Sequence, residues 1–152
     1  MEIKFPVGDF MFEDNPFHWE TSVKARSFGT LREVTHIYRM GRTGQTIASV
    51  GIGNLKIFQH FDIIRDMLAK SGQQVKLELQ LLRWLIEHVL WLSERVPPAF
   101  LNEVFEKSRP SLSQFNAGLF WYGVVGCGLS ARDMRRVAAI YLNARFDFFR
   151  EF

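Results

Sequence analysis

A single cysteine, Cys127, excludes an intramolecular disulfide and with it the stapled secreted scaffolds, so a reducing, cytoplasmic setting is expected. No apolar run is long enough to span a bilayer. The longest, Leu119 to Leu129, is about half of the roughly 20 residues required and is interrupted by glycine. Glu2, Lys4 and Pro6 break the first residues before any apolar leader core can form, and no secretory signal is expected. The four histidines, His18, His36, His60 and His88, are scattered without metal-ligand spacing. No metal or other cofactor is expected, and no small-molecule substrate is indicated.

What the chain has is apolar bulk: 47% hydrophobic residues, with 15 Phe and 4 Trp in 152 residues. That is enough for a single domain over 1–152 with a sizeable core, and it is far from the composition of a disordered polymer. The net charge of +3 is modest, but it is unevenly spread: residues 1–20 sum to −4, 21–53 to +4, 54–106 to −1 and 107–152 to +4. The sign alone does not demand a polyanionic partner.

The fold class expected is α+β, with an antiparallel β-meander over about 1–53 followed by four or five helices over about 54–150. Trp19, Thr21, Val23 and Ala25 alternate with Glu20, Ser22, Lys24 and Arg26 at a period of two, as Ile3, Phe5 and Val7 do earlier. Val34–Met40 and Gln45–Ile52 flank Gly41–Arg42–Thr43–Gly44, a connection of hairpin length. A competing pattern makes Thr30 an N-cap with Glu33 closing a capping box, starting a helix with Leu31, Val34 and Ile37.

From Asn54, read as an N-cap, the period turns helical. Leu55, Phe58, Phe61, Ile64 and Leu68 recur at threes and fours until Ser71–Gly72. A second helix, about Gln73 to Val96, is apolar around much of its circumference and so central, and Pro97–Pro98 ends it. A short helix with Phe100, Leu101, Val104 and Phe105 follows, Ser108–Arg109–Pro110–Ser111 interrupts, and another helix runs from Leu112 to about Val125. Ser130 then caps a last helix to about residue 149, with Asp133 at its third position and Met134, Val137, Ala138, Tyr141, Phe148 and Phe152 as its inner stripe.

The segment 112–149, two helices joined at Gly126–Cys127–Gly128, resembles a helix-turn-helix. Gly128 supplies the turn, Val124 and Leu129 its flanks, Met134 and Val137 the inward anchors, while Arg132, Arg135 and Arg136 beside Ser130 project toward phosphates or guanine edges. The function expected is a DNA-binding transcriptional regulator, non-enzymatic and oligomeric. The same arginines also suit a merely solvated helix face.

Aromatic surplus points to the alternative, a protein-binding adaptor or inhibitor. Phe12, Phe17 and Trp19 in the acidic N-terminal segment, and Phe148, Phe149 and Phe152 at the other end, exceed what a small core can absorb and suit a partner or a homo-oligomer interface. A third reading treats Cys127 as a thiolate nucleophile activated by a helix N-terminus. Gly51–Ile52–Gly53 lacks the rest of either phosphate-binding fingerprint.

Overall fold

The computed structural model describes residues 14–37, 39 and 52–143. These form six α-helices and two short 3-10 helices: α1 (Asp14–Lys24), a 3-10 helix (Ile52–Lys56), α2 (Ile57–Lys70), α3 (Gln74–Arg95), a 3-10 helix (Pro98–Phe100), α4 (Leu101–Leu112), α5 (Ala117–Gly126) and α6 (Ala131–Leu142). Among the described residues there is no strand, so the expected β-meander is corrected to an all-helical arrangement.

The error at 19–26 has a physical cause. Trp19 and Val23 are two steps of a strand period, but they are also i and i+4 of a helix, and both pack against the core from α1. Asp14 favours the first turn, Lys24 pairs with Glu20 one turn back, and the Thr21 hydroxyl donates to the Phe17 carbonyl at 2.8 Å. Residues 27–37 carry neither helix nor strand, and Leu31, Val34 and Ile37 are exposed, so the capping-box helix from Thr30 is corrected as well. Ile3, Phe5, Val7 and the hairpin connection at 41–44 lie outside the described residues.

The helical half follows its pattern more closely. Phe58, Phe61, Ile64 and Leu68 are buried along α2, which ends at Ser71 with Gly72 at φ +69°. Asn54 is no N-cap: it sits in the 3-10 helix, buried, with neither amide atom hydrogen-bonded. α3 is the axis of the molecule. It packs on α2, α4, α5 and α6, and Leu81, Leu82, Leu85, Ile86, Val89 and Leu92 are shielded from solvent in that order along its length.

α1 lies on α2 and is tied to α3 by Trp84 Nε1–H donating to Asn15 Oδ1 at 3.0 Å. The expected interruption at Ser108–Ser111 is instead the last turn of α4, which carries Pro110 on an exposed position. Ser108 and Ser111 are buried, and the Ser108 hydroxyl donates to the Phe105 carbonyl at 3.2 Å. Asn116, not Leu112, opens the next helix: its Oδ1 accepts from Leu119 N–H at 2.9 Å.

Candidate functional site

The helix pair singled out in the sequence is α5 and α6, joined by Cys127–Ser130. Gly128, at φ +63°, makes the turn. Val124 and Val137 are buried and Leu129 and Met134 half-buried, so the four apolar positions around the joint face inward as expected.

Ser130 and Asp133 close a reciprocal cap on α6. Ser130 Oγ accepts from Asp133 N–H at 3.1 Å and donates to Asp133 Oδ2 at 2.6 Å. The other carboxylate oxygen of Asp133 lies 3.7 Å from Nη1 of Arg136, which is half-buried. Of the three arginines, Arg132 and Arg135 are exposed on the outer side of α6, while Arg136 leans on the cap.

α6 stops at Leu142. Asn143, at φ +56°, ends it in the left-handed conformation, its N–H meeting the Ile140 carbonyl. The expected continuation to 149 is therefore corrected, and Phe148, Phe149 and Phe152, like Phe12, lie outside the described residues.

How the pair is closed follows from two contacts. The Tyr141 ring stacks on Phe120 with centroids 3.8 Å apart at 11°, and its hydroxyl donates to the Phe115 carbonyl at 3.0 Å. At about 1.5 Å of rise per residue, Phe120 lies about 9 Å from the end of α5 and Tyr141 about 15 Å from the start of α6. The contact brings the second half of α6 back to the middle of α5.

α5 is the unusual element. It contains no Asp, Glu, Lys or Arg. Phe120, Gly123 and Val124 face α3 and the core, but Trp121, Tyr122 and Val125 face outward at 42%, 65% and 71% exposure. The sequence reading makes this segment a helix without assigning its faces and looks for exposed aromatics at the chain ends. The signal that could have found it was the absence of any charge on a ten-residue helix: a helix apolar on every side, packed on one side only, leaves apolar surface uncovered. Phe17 and Trp19 are half-buried on α1, Trp19 against the core and Phe17 edge-on to His18.

Cys127 stands at the C-terminal end of α5, its N–H bonded to the Gly123 carbonyl, and not at the N-terminus of α6. The expected thiolate-stabilising dipole is thus absent. Burial pushes the thiol above its ordinary range, the Arg83 guanidinium pulls it down, and Glu87 pushes it up again.

A cavity of about 630 Å³ separates α1 from the end of α2, lined by Pro16, Val23, Ile63 and Met67 together with charges of both signs, Glu20, Lys24, Asp66 and Lys70. Its charges do not share one sign, and the Ser71 hydroxyl at its edge donates to the Leu68 carbonyl of its own helix end at 3.0 Å. Among the described residues no group of three His, Cys, Asp or Glu is placed to hold a metal, and no helix is long and apolar enough to cross a membrane. The chain matches no family model, no curated protein and no solved structure.

Proposed function

We propose that the protein is a non-enzymatic binding protein, an adaptor or inhibitor, that docks a partner protein through the outer face of α5. One observation carries this: Trp121, Tyr122 and Val125 form an uncharged, outward-facing stripe on a helix whose opposite side is already buried. Aromatic residues and arginine are enriched at protein interfaces and charged pairs depleted from their centres. Arg132 and Arg135 on the adjoining helix supply a basic flank, which favours an acidic partner surface. A cytoplasmic setting fits the single cysteine.

A DNA-binding regulator using the α5–α6 corner is the second reading, favoured by the exposure of Arg132 and Arg135. Native mass of the protein recovered from its own host, with and without nuclease, distinguishes the two. Docking through α5 predicts a mass above the 17.7 kDa of the chain that survives nuclease and is lost in Tyr122→Glu. A nuclease-sensitive mass, lost instead in the Arg132→Gln/Arg135→Gln variant and falling steeply with salt, selects DNA. A bare monomer in every condition overturns both.

A further inference from the structure

We infer that Arg83 is the anion-receiving group of the α5 face, so that the partner segment docking there presents a carboxylate beside an apolar side chain. The inference rests on the reading of that face as a docking surface and gives its occupant a chemistry.

Arg83 follows Leu82 on α3, the helix against which α5 is seated. Its guanidinium passes over Gly126: a Cβ built there would strike Nη2 and lie 3.5 Å from Cζ. Glycine at 126 is what admits the charged group to the edge of α5. Positions 118, 122 and 126 form one i, i+4 row, so Tyr122 stands between two residues that have no side chain. Along that row an exposed phenol ring is followed, one turn on, by a guanidinium.

Among the described residues no anion pairs with this charge. Arg83 makes no hydrogen bond or ion pair among the described residues, and its Nε is enclosed without a partner while the residue as a whole is half-buried. Because part of the guanidinium's hydration is already lost, a carboxylate reaching the open edge of the fork gains a charge-assisted contact at little further desolvation. Glu87, one turn along α3, is exposed, and no salt bridge joins it to Arg83.

Hydrocinnamate, a phenyl ring joined to a carboxylate by two methylenes, and its neutral amide are the probes. Titrated into the full-length protein, with amide and arginine Nε–Hε resonances followed by NMR, the acid should shift Tyr122, Gly126 and Arg83 with affinity in the millimolar range of such small fragments. The amide should bind about tenfold more weakly. Arg83→Gln should erase the difference, and so should Gly126→Ala, which keeps the charge but displaces the guanidinium and guards against a folding defect in the first variant. Equal shifts of Tyr122 and Val125 by acid and amide would overturn the role of Arg83 while leaving α5 as a docking face. Absence of shifts from either probe overturns the inference too, and the docking reading then stands or falls on the native-mass measurement alone.

Discussion

A methyl group added at Gly123 would come within 2.7 Å of Leu82 Cδ2 and 3.6 Å of Leu79 Cδ1, in the seam where α5 meets α3. Leu82 is completely buried and has nowhere to go. Gly123→Ala is therefore expected to lower the unfolding free energy by about 1–2 kcal/mol, the overpacking outweighing the helix propensity that alanine adds. Gly126→Ala meets only the end of a long side chain and should change it by less than about 0.5 kcal/mol. Urea midpoints at constant slope measure both, and equal effects would mean that the seam is looser than its geometry. Two glycines three residues apart thus do different work: one lets helices touch, the other lets a charge through.

At the scale of elements, the joint between α5 and α6 is held by its caps. Ser130→Ala removes both the acceptor for Asp133 N–H and the donor to Asp133 Oδ2. A loss of about 1 kcal/mol is expected in thermal or urea unfolding, with Ser130→Thr, which keeps both the acceptor and the donor, recovering most of it. An unchanged midpoint would show the cap to be idle. Ser130, Asp133, Gly128 and the inward positions Val124 and Val137 were all legible in the sequence, because capping and turn chemistry are local. So were α2 and α3, whose apolar residues recur over three turns or more. The N-terminal helix was not, since Trp19 and Val23 satisfy both periods and the choice is made by α2, a distant neighbour in sequence. Nor was the exposed face of α5 legible: composition says that Trp121, Tyr122 and Val125 are apolar, but only the packing partner decides which side of a uniformly apolar helix is left uncovered. Arg83 was equally hidden, its position over Gly126 being a contact across more than forty residues of chain.

For the molecule as a whole, one pH response is expected at His88, on α3 near Asp14 of α1. Burial lowers the affinity of His88 for protons, against the opposing pull of its hydrogen bond to the Trp84 carbonyl at 2.7 Å and of Glu87 and Asp14, with His60 adding to the lowering. The unfolded chain, with histidine near 6.5, binds the proton more readily than the folded one. Stability from this residue is thus complete above that value and declines as pH falls from it toward the lower folded value. Urea midpoints across this range should drop on acidification, and His88→Gln should flatten the slope. A slope unchanged by that substitution would place the pH response elsewhere. The same arrangement sets a hierarchy of opening. α3 is gripped by four helices and its central residues are shielded, so the backbone amides of Leu85, Ile86 and Val89 exchange with solvent deuterium only when the entire molecule unfolds. α1 rests on α2 with the Asn15–Trp84 bond as its tie to α3, and it can peel away as a separate cooperative unit while the other helices keep their hydrogens.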